Sequence, residues 1–516
     1  MHFINQFMNA SQSLTAYPKY NVLLARENIM VGLILVAGFL MRLRQYLTGR
    51  SLWLDEAMLA LNIVNRDFGD LFKPLDYDQG APIGFMLVEK TFSLIFGRNE
   101  FSLRLFPFLV GLLSLWMFYL LLKQFMRGIA LWAGLALFAF NPRLIYYSSE
   151  VKQYIVDVAM TILLLVIALP LFQRPSRKRL VALAFVGLLA LWFSHPSLFV
   201  LAGIGFALSL FYFQKRDYKN LLLTAGAGAL WLINLGILFS LTLDDLRHNL
   251  TMREYWQDAF VPMPPWSDLS WYLTSFQKNM DTQFGIGYAA GLVFVLMLAG
   301  WMILFMQKRE AAITLASILV FTLLASSLGL YPLLERMGLF LVPIGILTIA
   351  NSLEISAQRL RAYPLPSTLV LLLLIGFVFY GPIMRSLEQF ITPKYFEHIR
   401  PTMRFLQETW KEGDGMFVSY GGIPAFEFYS PMYDLENISY VFGQREDYAN
   451  PNVIFQHFEP LMGQRRVWIL MSHVYENGDF NEKDFILNYL DQIGNKKREF
   501  REPGTSVYLY LYDLAE

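Results

Sequence analysis

Cysteine is absent from the 516 residues, which excludes disulfides, thiol nucleophiles and cysteine-ligated metals. Charge is scarce. Asp, Glu, Lys and Arg make up only 16% of the chain, against 55% hydrophobic residues, whereas soluble domains carry about 25% charged residues. The net charge of +1 gives no basis for nucleic-acid binding. Histidine is rare too, with six in all. His195 and His248 have no partner at metal-ligand spacing, so no metal site is expected. Loop carboxylates are the one oxygen-ligand alternative for a hard divalent cation, and no cofactor is required. No glycine-rich phosphate loop of either common type is present, and the polar first residues do not read as a cleavable signal peptide.

What fills the chain instead is apolar runs, at a mean hydropathy of +0.41. Runs near the length that crosses a bilayer predict about eleven transmembrane helices. They fall near 28–47, 100–122, 128–145, 151–172, 180–194, 197–213, 221–240, 288–306, 311–328, 337–352 and 367–383. Ser194-His195-Pro196 is read as a break between two of them. Basic turns at Lys123 and Arg127, Arg174 to Arg179, Lys215 to Lys219, Lys308 and Arg309, and Arg359 and Arg361 all fall on one side. The positive-inside rule makes that side cytoplasmic, together with the N-terminus. Arg42, Arg44 and Arg50 oppose this and are outweighed. After Pro382 the composition turns mixed. Strand-like MFVSY (416–420), RVWILMS (466–472) and SVYLYLY (506–512) alternate with helical patterns at 397–411 and 482–493, which predicts a small α/β domain. The expected division is a membrane domain over 1–383 and an outward domain over 384–516.

The first outer loop, 48–99, is too long and too patterned for a connector. Asp55 opens a segment with Met58, Leu61 and Val64 on one helical face, as in a helix lying along a membrane surface. A second helix is predicted from Pro82. Asp55 reads either as a helix N-cap or as a catalytic carboxylate. The next outer corner, NPRLIYYSSEVKQY (141–154), carries Glu150 and Lys152 among Tyr146, Tyr147 and Tyr154. Aromatics are common at membrane interfaces, but Glu150 has no need to be there. Asp157, a turn deeper, should face the bundle interior. Arg336 stands at the outward end of a later span. It would pair with Glu335 or snorkel, or else grip a lipid phosphate. Arg104 is read as structural.

Five segments together carry a family likeness: SLWLDEA (51–57), APIGF (81–85), GRNEFSLRLFP (97–107), IYYSSEVKQY (145–154) and ERMGLFLVP (335–343). With them the chain resembles the bacterial GT-C type, family 39 glycosyltransferases that use polyprenyl-phosphate sugars. These are relatives of protein O-mannosyltransferases and of the aminoarabinose transferases that modify lipid A. The likeness covers roughly the first two-thirds of the chain. It implies a GT-C-like helical fold with outward juxtamembrane helices. It also implies Asp55 as the base, Glu56 as its partner and Glu150 as the second acidic residue. Lys152 stands where relatives often have arginine. Gln79-Gly80 replaces the Glu-Lys of the aminoarabinose transferases, which argues against that exact activity. Lys73, Lys152 and Arg336 are left to hold the donor phosphate, with Tyr147, Tyr154 and Asp78 lining the substrate.

The chemistry is coherent without the family. A sugar on polyprenyl phosphate has a good leaving group, so transfer needs one carboxylate to take the acceptor's proton and cations for the phosphate. The expected enzyme is a hexosyl- or pentosyltransferase in a bacterial plasma (inner) membrane, with its site on the periplasmic or extracellular side. Its acceptor would be a glycolipid, a polysaccharide or a protein. A polysaccharide polymerase or ligase is the first alternative, although such enzymes usually carry their large outer loop late in the chain. A lipid-linked sugar transporter is the second, although its midplane charges and internal repeats are not seen.

Overall fold

The computed structural model describes residues 18–243, 250–359, 366–393, 395–444 and 451–515. His248 and Arg361 lie outside them. The chain divides into two compact units built from discontinuous segments. One comprises 1–46, 107–149 and 153–391, and the other 47–106, 150–152 and 392–516. The first outer loop and the Glu150–Lys152 corner thus belong with the C-terminal residues in one unit rather than with the helical remainder.

The helical unit is what uninterrupted Leu, Ala, Val and Phe runs must become in a bilayer, where only helices satisfy every backbone group internally. Among the described residues eight helices are long and apolar enough to cross a membrane: Glu27–Leu47, Glu100–Leu122, Tyr154–Phe172, Ser197–Gln214, Tyr218–Thr242, Gly287–Gln307, Arg309–Ser327 and Glu335–Glu354. The chain is a multi-pass membrane protein, and one of the eleven expected runs does not form a single spanning helix. It is the run over 128–145. Its helix stops at Ala139, and Asn141 caps a separate short helix, Pro142–Tyr147, by accepting from the amides of Arg143 and Leu144. Twelve residues of Gly128–Ala139 rise only about 18 Å, short of a hydrocarbon core of about 30 Å. Arg177–Phe193 and Ser197–Gln214 are separate helices on either side of Ser194, as the proline break implied. Pro366–Ile391 is a further helix. Close packing within this unit uses small residues. A Cβ added at Gly300 would stand 1.8 Å from the Thr348 carbonyl oxygen, so only glycine lets the Ala290–Gln307 helix meet Val342–Arg359 at backbone distance.

In the second unit a five-stranded sheet runs β2–β1–β3–β7–β6, with β1 Gly415–Val418, β2 Val441–Phe442, β3 Val467–Met471, β6 Asn495–Phe500 and β7 Tyr508–Asp513. A small hairpin pairs β4 Glu476–Asn477 with β5 Phe480–Asn481. β1 is parallel to β2 and β3, whereas β7 is antiparallel to β3 and β6, with Ile469 opposite Tyr510. Every residue of β1 and β3 is buried, which is why both read as unbroken apolar runs. The edge strand β6, NKKREF, is mostly exposed, and its charges protect the open edge. Phe417, Phe458, Ile469, Ile486, Leu490 and Tyr512 form the core beside the sheet. The helix expected at 482–493 is present as Glu482–Ile493, and that at 397–411 as Arg400–Thr409.

Two helices of the first loop join this unit, Leu54–Asn65 and Ile83–Phe96. Pro82 precedes the second helix as its N-cap rather than opening it. Leu54–Asn65 is not the one-faced surface helix its spacing suggested. Residues Glu56 to Ile63 are all buried, because Ile423–Tyr429 and Ile83–Phe96 both pack against it.

Candidate active site

The Leu54–Asn65 helix begins at Leu54, with Trp53 as an N-cap that makes no side-chain cap bond. Asp55 is therefore inside the first turn and is not the N-cap. Its carboxylate pairs with Lys152, Nζ to Oδ1, at 3.0 Å. The Lys152 side chain is 4% exposed and that of Asp55 is 18% exposed, so the pair is shielded but open on the acid's side. Lys152 also donates to Gln79 Oε1 at 2.6 Å. Three segments distant in sequence, at Asp55, Gln79 and Lys152, thus converge on one ammonium group. Beside them Trp53 donates its indole N–H to Glu150 Oε1 at 3.1 Å, and the Glu150 side chain is buried.

Glu56, one residue on, is wholly buried. Arg104 donates to it through Nε at 2.9 Å and Nη2 at 2.5 Å, and the Val151 amide donates at 2.8 Å. Burial alone would push this carboxyl up. Arg104 and Arg50, with the hydrogen bonds from Arg104 and the Val151 amide, outweigh that and hold it below the usual carboxylate range. Arg104 donates further to the carbonyls of Arg50 and Ser51. The expected catalytic part for Glu56 does not fit this geometry, because both oxygens are spent on holding segments 50–56, 104 and 151 together. Arg104 has the structural role read from its surroundings.

The other expected residues divide. Asp78 and its neighbour Tyr77 both lie at positive φ, 54° and 62°, a costly conformation for side-chain-bearing residues. The Tyr77 hydroxyl donates to Glu427 Oε2 at 2.9 Å, and Tyr440 donates to Oε1 at 3.0 Å. This strap fixes the strained turn just before Gln79. Lys73 is not at the pair with Lys152. It is 70% exposed and bridges to Asp70 at 2.6 Å. Its position three residues after an aspartate made a local surface pair the cheaper partner. Tyr147, Tyr154 and Arg336 belong to the helical unit. There Tyr147 meets Tyr154 edge-on at 5.1 Å, and the Arg336 guanidinium lies 6.0 Å over Tyr154 and 5.2 Å over Trp256. Glu335 pairs with Lys278. No group of three or more His, Asp or Glu able to hold a metal occurs among the described residues.

Sequence reading missed the residues that the C-terminal segment brings here. Glu397 accepts from the Leu54 amide at 2.7 Å and bonds His473 Nδ1 at 2.8 Å. His398 bonds the Ser51 hydroxyl at 2.8 Å. Burial, Arg400 and Arg104 push its imidazole down to about 4, so it is neutral at physiological pH. The Leu52 amide donates to the Tyr429 hydroxyl, which donates to Glu100. One signal for His473 was available. It lies two residues past a strand of the parallel pair, and the carboxyl ends of parallel strands are where α/β sheets put functional groups.

No protein-family model matches the chain, and no curated protein sequence does either. Solved structures do match. The apo structure of ArnT from Cupriavidus metallidurans aligns over 94% of this chain and 97% of its own, at 13% identity and a TM-score of 0.53. The same enzyme bound to undecaprenyl phosphate aligns over the same shares with a TM-score of 0.51. The apo oligosaccharyltransferase of Archaeoglobus fulgidus aligns over 85% of this chain and 69% of its own, at 12% identity and a TM-score of 0.51. Over nearly its full length the chain therefore has the fold of ArnT, the GT-C type that its motifs resemble.

Proposed function

We propose that this protein is a membrane glycosyltransferase that moves a sugar from a polyprenyl-phosphate donor to an acceptor hydroxyl on the outer side of a bacterial plasma membrane. The observation that carries the reading is the shielded Asp55–Lys152 pair with Gln79, in a chain folded like ArnT along 94% of its length. That one of the similar ArnT structures holds undecaprenyl phosphate supports a lipid phosphate as donor. A neighbour tethered to an acceptor peptide keeps protein among the candidate acceptors, beside glycolipid and polysaccharide.

In this reading the donor phosphate draws Lys152 toward itself, which releases Asp55 from its ion pair. Asp55 then takes the proton from the acceptor hydroxyl as that oxygen bonds the anomeric carbon. The bond from the anomeric carbon to the phosphate oxygen breaks, and polyprenyl phosphate leaves with its charge held by Lys152. Lys152 stands beside Gln79, so a lysine reaches the 79–80 position in space although the sequence carries none there. Lys73 has no part in this scheme, since its partner is Asp70 at the surface. Glu150 orients Trp53 beside the helix start.

The test is mass spectrometry of envelope glycolipids, polymers and proteins in cells with the gene deleted, then restored with the native or the Asp55→Asn protein. One glycan should vanish on deletion and return only with the native protein. Full return with Asp55→Asn would refute Asp55 as the base, and an unchanged glycan profile on deletion would refute the transferase reading.

A further inference from the structure

Glu397 bonds both the start of the Asp55 helix and His473, two residues beyond the end of β3. Helix amides in the first turn have no partner inside the helix, and Trp53 supplies none from its side chain. The Glu397 carboxylate fills that place from 343 residues away, accepting the Leu54 N–H at 2.7 Å. A negative charge is also favoured there by the helix dipole. Its other oxygen bonds His473 Nδ1 at 2.8 Å.

His473 is itself fixed. It leaves the end of β3 at a positive φ of 50°, a strained conformation for a side-chain-bearing residue, of the kind that gathers at functional sites. A Cβ on Gly421 would meet the Ser472 and His473 carbonyl oxygens at 2.6 Å, so glycine there allows the turn to close. The loop beyond is tied by Glu482, which accepts from the Tyr475 amide at 3.0 Å. Despite this, the His473 side chain stays 45% exposed, so one face of the ring is open. The charged groups that act on it are Glu397, Asp55 and Glu482, and they more than offset partial burial to raise its imidazole above the ordinary value of 6.5.

We propose that Glu397 and His473 form a positioning pair for Asp55, supplied by the C-terminal segment. Glu397 caps the helix that carries the base, and His473 holds the Glu397 carboxylate in that place through the second oxygen. The C-terminal domain then completes the active site. This rests on the reading of Asp55 as base, because the pair acts through that residue and does not touch the sugar.

The test uses the full-length protein in membranes of the gene-deleted strain, with formation of the glycosylated product followed by mass spectrometry over a range of pH. His473→Gln, at a half-exposed position, should keep the native melting temperature and lower the rate about 10-fold near neutral pH. Loss of the cation should also move the acid limb of the rate profile upward by about half a pH unit, since Asp55 would protonate more readily. Glu397→Gln keeps an acceptor for the Leu54 amide but loses a negative charge beside Asp55, and should lower the rate while moving the acid limb downward, opposite to His473→Gln. A native rate and native acid limb in both variants would overturn the proposal. So would an equal loss at every pH accompanied by a lower melting temperature, the mark of a merely structural pair. Asp55→Asn in the same assay separates the two readings. If it stays active, Asp55 is not the base. If it is dead while His473→Gln behaves as native, only the positioning pair falls.

Discussion

Asp55 and Glu56 are adjacent in sequence, each is paired with a cation, and their surroundings are opposite. Glu56 has no exposed surface and two arginines beside it, with its oxygens taken by Arg104 and a backbone amide. Asp55 is part-exposed, and its lysine is shared with an uncharged amide oxygen. An arginine fork on a buried carboxylate makes a rigid joint. A single ammonium between an acid and a glutamine can be drawn away by an arriving phosphate. Under the proposed function, one dipeptide would hold both the anchor of a site and the group that works in it.

The largest effect should separate the pair outright. Asp55→Asn should lower transfer by about 10²–10⁴-fold, the range for a general base, with a smaller fall in melting temperature than Arg104→Ala, because Gln79 still accepts from the Lys152 ammonium. Breaking the other pair should do the reverse. Arg104→Ala leaves Glu56 charged and buried and should cost about 3–5 kcal/mol of stability, read as a fall in melting temperature in detergent. If Arg104→Ala lost only activity, the contrast drawn here would fail.

Lys152→Met should come next, with transfer down about 10²-fold, as for removal of one preorganised charge contact. Undecaprenyl phosphate should also bind more weakly to it, measured by Trp fluorescence. Acid should distinguish the carboxylates further. The folded-state pKa of Glu56 is depressed, so its share of stability is complete above the unfolded value. That share is lost as pH falls through the lower folded value. Melting temperature against pH should therefore fall less steeply at the acid end in Glu56→Gln than in the native protein. The smallest effect expected is from Trp53→Phe, which removes one hydrogen bond to Glu150, at about 1 kcal/mol.

Much of this architecture could be read along the chain. Apolar run length gave most of the spanning helices, because a segment that must satisfy its own backbone in lipid has little choice of form. The run over 128–145 was cut by capping and proline chemistry at Asn141-Pro142. The apolar core strands and the Glu482–Ile493 helix could likewise be read from local pattern. Part of the candidate site could also be picked out along the chain. Asp55, Glu150 and Lys152 stood out as charges at the ends of apolar runs, where charge is costly and needs a reason. Lys73 lies apart from them, and its spacing of three from Asp70 was the local signal for the surface pair it makes.

By itself, then, the sequence determined a multi-pass helical protein with a cysteine-free α/β region and charged corners between spans, since hydrophobicity and periodicity act locally. Only the tertiary structure decided which of two neighbouring acids was buried against arginine. It also decided that Lys152 would stand beside Gln79, and that Glu397, held by His473, would reach the Asp55 helix from 343 residues away. Those are contacts between segments with no local signal for each other. They are settled by which groups could be buried together with their hydrogen bonds satisfied.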